Sequence, residues 1–316
     1  MPLFLFDDRP PFDRDRLAGR LAFLAKRGIY VGTSSWKYPG WLDQIYTPSR
    51  YTSRGRFSKK RFEAECISEY AEVFPIVCGD FAFYKFPDPE FWASLFRRVP
   101  GSFQFVFKVP EQITRFEFSR LLRYGAQAGQ ANPSFLDAEL LKSALLEPLE
   151  AYRNNVAALV LEFGSLPRAY VDQPDQFLDS LDRFLRSIPR VFRIAVEVRN
   201  PELLVSAYFE LLRRHGAAHV YSAWTRMPDL PVQMAIPGSQ TADFIVCRAL
   251  LRRGRPYAQA VEKFEPYTEL REPYVPAREG LRELTRAESA FPKMRMIFVN
   301  NRLEGNAPGT IEEVVR

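Results

Sequence analysis

The sequence alternates regularly between short apolar runs and longer amphipathic stretches. The apolar runs are rich in Val, Ile and Phe. Such runs, separated by patterns of helical period, are typical of parallel strands joined by crossover helices. Eight strands are predicted in this way, at residues 29–34, 76–81, 103–108, 157–162, 193–198, 219–223, 244–248 and 294–300.

The stretches between these strands carry apolar residues at three- and four-residue spacing, as in Phe177, Leu181 and Phe184. This spacing places an apolar stripe on one face of a helix, where it can cover a sheet. The interval 225–240 is too short and too rich in proline for a full helix. Helices are predicted at residues 61–74, 89–98, 135–152, 174–187, 201–215, 255–264 and 277–291.

Eight strand and helix units close most simply into a TIM-like (β/α)8 barrel. An open doubly wound sheet would usually show a glycine-rich phosphate loop after its first strand, and residues 32–36, GTSSW, match neither common form of that loop. We therefore predict a single barrel domain at 29–316. Residues 1–28 are predicted to form an N-terminal extension whose amphipathic helix carries Leu17, Leu21, Phe23 and Leu24.

The composition of the chain indicates its cellular compartment and the kind of partner it binds. The net charge of +6 favours anionic partners. No apolar run approaches the ~20 residues that a membrane helix needs. The first charged residue follows only six residues, too few for a secretory signal. We expect a cytoplasmic protein without a membrane partner, and the sequence does not indicate its oligomeric state.

Cysteine and histidine are both scarce. Cys66, Cys78 and Cys247 are odd in number and widely spaced, which indicates reduced thiols. His215 precedes a glycine at a predicted helix end, and His219 opens the sixth strand, so both are predicted to be structural. No cofactor or metal is expected, because the chain lacks the histidines of a zinc cluster. A magnesium-like ion on three carboxylates is the alternative.

Polar and charged residues follow most of the predicted strands. In barrels of this kind the carboxyl ends of the strands meet at one mouth, which is where catalysis takes place. A period of two puts Glu197 and Arg199 on one strand face, and a wet mouth is the cheaper place for both charges. The strand-end residues are Ser34, Ser35, Asp80, Lys108, Glu162, Glu197, Arg199, Ser222, Arg248, Asn300 and Asn301.

Two interpretations of this set stay open. In the first, the protein is a metal-independent enzyme or binder for an anionic, phosphate- or sugar-containing ligand. Glu197, Glu162 and Asp80 are then the candidate catalytic acids or bases. The ligand-binding candidates are Ser34, Lys108, Arg199, Arg248, Asn300 and Asn301. In the second, the charges satisfy one another and close the barrel of a non-catalytic interaction scaffold.

The loop at residues 36–61 predicts a different partner. It interleaves aromatic residues with arginines and lysines, and exposed rings in this pattern can stack on nucleobases while the cations hold phosphates. Nucleic acid is therefore the alternative ligand to a small anionic molecule. The alternative for the loop itself is that the aromatic residues form a hydrophobic lid beside a solvated basic loop. Trp36, Tyr38 and Trp41 from this loop are also candidate contacts for a small ligand.

Six motifs taken in order resemble the YecE-like family, domain of unknown function 72. Tyr84 of the second motif joins the ligand-binding candidates. The resemblance implies an eight-stranded barrel without an established activity, distantly similar to metal-dependent isomerase and apurinic endonuclease barrels. The motifs are Gly32 to Trp36 with Tyr38, Pro39 and Trp41; Phe83 to Pro87; Phe105 to Pro110 with Ile113 and Thr114; Ala195 to Pro201; Thr241 to Phe244 with Arg248; and Phe298 to Asn301 with Gly305 to Ala307.

The chain departs from the commoner family pattern in three places. Cys78-Gly79-Asp80 stands where many members have Glu-Ile-Asn, Thr114-Arg115 replaces Thr-His, and Glu162-Phe163-Gly164 replaces Gln-Leu-Pro. Relative to the commoner pattern, a carboxylate moves from the second strand to the fourth, because Cys78 stands in place of a Glu and Glu162 in place of a Gln. The resemblance carries over Lys108, Glu197, Arg199, Arg248 and the Asn300–Asn301 pair.

Overall fold

The chain folds into a closed barrel of eight parallel strands, as the alternating pattern predicts. The computed structural model describes residues 12–120 and 122–316. Each strand pairs with its sequence neighbours, and the first strand closes the barrel by pairing with the last. The strands are β1 (Ile29–Thr33), β2 (Ile76–Gly79), β3 (Gln104–Lys108), β4 (Val156–Phe163), β5 (Ile194–Val198), β6 (Ala218–Ala223), β7 (Phe244–Ala249) and β8 (Met294–Val299).

Helices follow the strands and cover the outside of the barrel. The predicted helix 174–187 is confirmed at both ends, with its apolar stripe Phe177, Leu181 and Phe184 buried. The predicted helix at 135–152 is broken by a π-helical turn at Lys142–Leu146. The α-helices are Arg14–Ala25, Lys59–Tyr70, Pro89–Phe96, Glu111–Thr114, Ala138–Leu141, Glu147–Glu150, Arg168–Asp172, Pro174–Ser187, Ser206–His215, Leu230–Met234, Tyr257–Phe264, Val275–Thr285, Asn301–Glu304 and Ala307–Val315.

Shorter elements occupy several loops. The strands Thr52–Ser53 and Arg56–Phe57 form an antiparallel ribbon in the loop after β1. Short stretches of 3-10 helix lie at Pro39–Trp41, Pro48–Tyr51, Phe81–Phe83, Leu122–Gln127, Arg153–Asn155 and Pro201–Leu203, and the fourth of these is kinked at Gly125.

The helix Arg14–Ala25 packs on the outside of the barrel. Leu17, Leu21 and Leu24 are buried on its inner face, whereas Phe23 is exposed. Arg20 Nε donates to the backbone oxygen of Val315, which fixes the helix against the last helix of the chain. The predicted extension at 1–28 begins outside the described residues.

The strands bury side chains on both faces, which accounts for their richness in apolar residues. One layer, between strands and helices, contains large residues such as Phe105, Leu161 and Tyr221. A second cluster, inside the barrel, comprises Ile76, Cys78, Val106, Ala158, Val160, Ala195, Val220, Val246, Met296 and Phe298 among others. This interior layer lies directly beneath the polar residues at the mouth of the barrel, and we call it the floor.

Candidate functional site

A layer of polar side chains lies directly above the apolar floor of the barrel. Because side chains on one strand face recur every two residues, the residue two positions after each floor residue points the same way. Val106 is followed in this way by Lys108, Val160 by Glu162, and Val246 by Arg248. The same step leads from Ala195 to Glu197 and from Val220 to Ser222.

Four of these side chains and Arg199 form one ion-paired cluster, which we call the ionic network: Lys108, Glu162, Glu197, Arg199 and Arg248. Arg248 on β7 contacts Glu162 on β4, three strands away around the barrel, so their contact crosses the interior. The predicted convergence of these five strand-end residues is what the structure shows. Their functional roles are a separate matter, taken up below.

Glu162 is the centre of the ionic network. Its Oε2 atom lies 2.6 Å from Nη1 of Arg248, 2.9 Å from Nη2 of Arg199 and 3.2 Å from Nζ of Lys108. Among the residues that the structure describes, Oε1 of Glu162 has no hydrogen-bond partner. One oxygen therefore holds all three cations, and the other remains available to a further donor.

Glu197 occupies the most enclosed position of the network. Its Oε1 accepts hydrogen bonds from Nε of Arg199, at 3.2 Å, and from the hydroxyl of Ser222, at 2.9 Å. Its Oε2 accepts from Nη1 of Arg248. The side chain is completely buried. Its contacts connect three neighbouring strands, β5, β6 and β7.

Burial and neighbouring charges shift the pKa values of Glu162 and Lys108, the two titratable groups at the open side of the network. Burial alone would raise the pKa of Glu162, but the charges of Arg199, Lys108 and Arg248 hold that pKa well below its ordinary value. Burial lowers the pKa of Lys108, opposed by Glu162 and reinforced by Arg248 and Arg199. Glu162 is therefore ionised at neutral pH, and the Lys108 ammonium loses its proton more readily than a lysine in water does.

Aromatic rings support two of the cations. Nζ of Lys108 lies 3.5 Å from the centroid of the Phe83 ring, and the Arg199 guanidinium lies 3.7 Å from that of Trp224. Cations are attracted to ring faces at such distances. Neither ring belongs to the predicted site, because Phe83 and Trp224 lie in loops whose direction no local pattern reveals.

The third predicted acid, Asp80, is not part of the network. It follows β2 and is half-buried, and its carboxylate makes no ion pair with any residue in the ranges 12–120 and 122–316. The sequence predicts three acids facing three bases. The described chain instead pairs two carboxylates with three cations.

The polar residues that follow β1 and β8 meet at the seam of the barrel. Nδ2 of Asn300 donates to the Ser34 hydroxyl at 2.9 Å, and Oδ1 of Asn300 accepts from the backbone N–H of Arg302 at 3.0 Å. Both side chains are buried. The contact ties the first strand to the last and caps the helix Asn301–Glu304.

Trp41 and Asn301 lie outside the ionic network and do not line the mouth cavity. Trp41 is fully buried, and its indole N–H donates to Oδ1 of Asn301 at 3.1 Å. The same oxygen accepts from the backbone N–H of Ala307 at 2.8 Å. Both side chains are buried in the packing between loop and helix, where Oδ1 of Asn301 satisfies the indole N–H of Trp41.

The expectation that the 36–61 loop exposes its aromatic residues is wrong. Trp36, Trp41, Tyr46 and Tyr51 are all buried. Tyr46 stacks on Trp41, with centroids 6.2 Å apart, and Tyr46 and Tyr51 each meet Phe62 edge-on at 5.0 Å. The loop aromatics form a hydrophobic cluster, since burying such rings is worth more than exposing them. The stacking platform of the nucleic-acid hypothesis is therefore missing from these residues.

Two tyrosines from the predicted site have different surroundings. Tyr38 is partly buried and packs on Trp41 and Tyr267, with centroids at 4.9 and 5.5 Å. Tyr84 is exposed, and the guanidinium of Arg123 lies 4.8 Å from its ring centroid. Of the aromatic candidates, Tyr84 is the one that a ligand in solution can reach most easily.

A cavity of about 350 Å³ opens beside the ionic network, between the loops that follow β2, β3 and β4. We call it the mouth cavity. Sequence reasoning missed most of its wall, because these residues lie in loops rather than at strand ends. Its lining comprises Phe83, Thr114, Arg115, Phe116, Glu117, Ser119, Glu162, Gly164, Ser165, Leu166 and Pro167.

The polar groups of the mouth cavity differ in how they are satisfied. The hydroxyls of Thr114 and Ser119 are buried and have no hydrogen-bond partner in the described chain. Arg115 is held at the rim by Glu111, with Nη2 2.8 Å from Oε2. Glu117 lies on the same rim and is exposed. The wall thus offers two free hydroxyls and charges of both signs.

The histidines and cysteines are not part of the ionic network and do not line the mouth cavity. His219 is buried against the helix Ser206–His215, with Nδ1 3.2 Å from the Tyr208 hydroxyl, and burial lowers its pKa to about 3. Nε2 of His215 is 2.8 Å from Asp182. Burial raises the pKa of Cys78 to about 11, so its thiol is not a ready nucleophile.

Within residues 12–120 and 122–316, no three His, Cys, Asp or Glu side chains are grouped so that they could hold a metal ion. In the same ranges, no helix combines the length and the apolar character that crossing a membrane requires.

The fold and the site together define a class, a parallel (β/α)8 barrel with a buried ionic network at its carboxyl-terminal mouth. The family model described as "Protein of unknown function DUF72" matches residues 30–316. The chain belongs to this family.

Solved structures agree on the fold. A DUF72 family protein from Enterococcus faecalis V583 is similar with a TM-score of 0.59 at 17% identity, over 91% of this chain and 95% of that one. A DUF72 family protein from Thermotoga maritima MSB8 gives a TM-score of 0.57 at 21% identity, over 90% and 97%. A search among curated proteins finds no match.

Proposed function

We propose that the mouth of the barrel binds a small anionic molecule of the phosphate- or sugar-containing class. The observation that carries the proposal is the charge count of the ionic network, in which three cations face two carboxylates. Arg199 and Arg248 cannot lose their charge at physiological pH. A bound anion would supply the missing negative charge.

The mouth cavity supports the choice of a ligand rich in oxygen atoms. Buried hydroxyls without partners are rare in proteins, because each costs the free energy of its lost hydration. Thr114 and Ser119 have such hydroxyls and line the cavity. Phosphate oxygens or sugar hydroxyls would satisfy both groups.

Glu162 would orient the neutral part of such a ligand. Its carboxylate lines the mouth cavity, and only Oε2 is engaged by the three cations. Oε1 can accept a hydrogen bond from a ligand hydroxyl. The lowered pKa of Glu162 means that it accepts hydrogen bonds at neutral pH and does not serve as an acid.

Isothermal titration calorimetry tests this proposal with inorganic phosphate, glucose 6-phosphate and glucose. We expect the two phosphates to bind and the neutral sugar to bind at least tenfold more weakly. Lys108→Met should weaken phosphate binding about tenfold, corresponding to one lost charge contact. Lys85→Met is the matched control, because Lys85 is exposed and outside the network. Equal phosphate affinity in both variants would contradict the proposal.

A further inference from the structure

A second cavity lies at the opposite end of the barrel from the mouth. Its volume is about 550 Å³, against about 350 Å³ for the mouth cavity. The first residues of three strands, Val156 of β4, Ile194 of β5 and Phe244 of β7, lie in its wall, which places it at the amino-terminal ends of the strands. We call it the arginine-lined cavity. Its polar lining comprises Arg153, Asn154, Arg190, Arg193, His215 and Asp243.

Positive charge predominates in the arginine-lined cavity. Arg153, Arg190 and Arg193 are exposed, and none of them forms an ion pair with any residue in the ranges 12–120 and 122–316. Asp243 is the one carboxylate of the lining. A concave surface with charges of one sign focuses their field and concentrates counter-ions there. The cavity therefore attracts anions more strongly than the same arginines would on a flat surface.

His215 contributes a polar group whose hydrogen bonding is incomplete. It ends the helix Ser206–His215, and its side chain is 10% exposed. Its Nε2 lies 2.8 Å from Oδ1 of Asp182, whereas its Nδ1 is buried and has no hydrogen-bond partner within the described chain. Buried polar atoms without a partner are rare in proteins. A ligand seated beside His215 can supply the missing partner.

We propose that the arginine-lined cavity binds a small molecule that carries two or more linked phosphate groups. The inference goes beyond the proposed function, because this cavity shares no residue with the mouth cavity. Each guanidinium can donate two parallel hydrogen bonds to phosphate oxygens. Arg153 precedes β4, whereas Arg190 and Arg193 precede β5. Cations from separate loops suit a phosphate chain, which presents its charge over a length, better than a single phosphate.

The rest of the wall suits the organic part of a nucleotide. Val191 is 42% exposed and adds apolar surface beside the arginines. Asp243 is exposed and makes no ion pair in the part of the chain that the structure describes. Its carboxylate can accept hydrogen bonds from sugar hydroxyls or a base amino group. An inorganic phosphate chain would leave both residues without a contact, so a nucleoside diphosphate is the better fit.

Arginine modification, measured residue by residue, tests the inference. Phenylglyoxal reacts with accessible guanidinium groups, and mass spectrometry locates the modified residues. Sodium chloride keeps the ionic strength equal in all samples. We expect a near-saturating concentration of ADP to slow modification of Arg190 and Arg193 about tenfold. Arg97 is the matched control and should be unaffected, because it is exposed and lies between the helix Pro89–Phe96 and β3, at the same end of the barrel.

Fragments of the nucleotide identify the chemistry that the cavity recognises. Inorganic pyrophosphate should protect Arg190 and Arg193, and adenosine should not. Protection by ADP at lower concentrations than by pyrophosphate would support a nucleotide as the source of the phosphate chain. Protection by adenosine alone, or equal protection of Arg97 by ADP, would overturn the proposal.

Variants separate this site from the mouth. Arg193→Met should raise the ADP concentration that protects Arg190 about tenfold, because it removes one charge-assisted contact. Arg97→Met and Lys108→Met should leave that concentration unchanged. An unchanged value in Arg193→Met, or a raised value in Lys108→Met, would overturn the proposal. If phosphate fails to bind at the mouth by calorimetry while ADP still protects Arg190, the proposed function fails and this inference stands.

Discussion

Glu162 and Glu197 stand side by side in register on β4 and β5, and a single atom, Nη1 of Arg248, contacts both carboxylates. Two like charges on adjacent strands are unfavourable unless a cation lies between them. Arg248 reaches them from β7, two strands away from Glu197 and three from Glu162. The contact of Arg248 with both carboxylates joins the charged residues at the strand ends into one network.

Loss of Glu197 should be costly, because it leaves Arg248 with less compensation in a buried site. We expect Glu197→Ala to lower the free energy of unfolding by about 3–5 kcal/mol, as measured by urea denaturation. Glu202→Ala is the control. Its ion pair with Arg226 is exposed and 3.8 Å long, so its loss should cost less than about 1 kcal/mol. Similar effects for the two variants would contradict this view of the network.

The charge count predicts that the three cations of the ionic network contribute unequally to the stability of the fold. Arg248→Met removes a cation that both carboxylates require, and it should cost about 3–5 kcal/mol of folding free energy. Lys108→Met removes the surplus cation and substitutes an unbranched apolar chain. Its free energy of unfolding should equal or exceed that of the wild type. Comparable destabilisation by both substitutions, measured in urea, would show that Lys108 is not surplus.

His219 should make the fold sensitive to acid. Its pKa is about 3 in the folded protein against 6.5 when unperturbed, so between these values the unfolded chain binds a proton that the folded chain does not. Stability contributed by neutral His219 is therefore lost progressively as pH falls below about 6.5. We expect the stability of His219→Phe relative to the wild type to rise from pH 7 to pH 4. A constant difference over that range in urea titrations would refute the assignment.

Trp41 is expected to matter for stability and not for ligand binding. Trp41→Ala should lower the free energy of unfolding by about 3–5 kcal/mol, because it opens a cavity among buried aromatic rings. The folded fraction should bind phosphate with unchanged affinity by calorimetry. Phe57→Ala, at an exposed ring of the same loop, should change little. A selective loss of phosphate affinity in Trp41→Ala would return this residue to the site.

The barrel and its ionic network were open to prediction because both follow from short-range periodicity. Alternation by two residues fixes which side chains share a strand face, and closure of the barrel then brings strand ends together. The interior contact between Arg248 and Glu162 follows from these two rules. Asp80 obeys the first rule but lies one residue beyond the end of β2, where the 3-10 turn Phe81–Phe83 begins, and it makes no ion pair within the described chain.

The features that could not be predicted depend on packing between distant segments, which no local sequence pattern encodes. The helix Ala307–Val315 was not predicted, since nearly all its residues are buried and it has no polar stripe to reveal a period. The sequence left open whether the aromatic residues of the 36–61 loop are exposed for stacking or buried as a hydrophobic lid. Their burial against Phe62 depends on a helix that follows in the chain.

The most direct test of an anion site at the mouth is a crystal structure grown with selenate, whose anomalous scattering locates the ion. The account predicts an anomalous peak in the mouth cavity, within hydrogen-bond distance of Lys108 or Arg199 and of the Thr114 hydroxyl. A mouth without selenate, in a crystal where the ion occupies the arginine-lined cavity of Arg153, Arg190 and Arg193 instead, would contradict it.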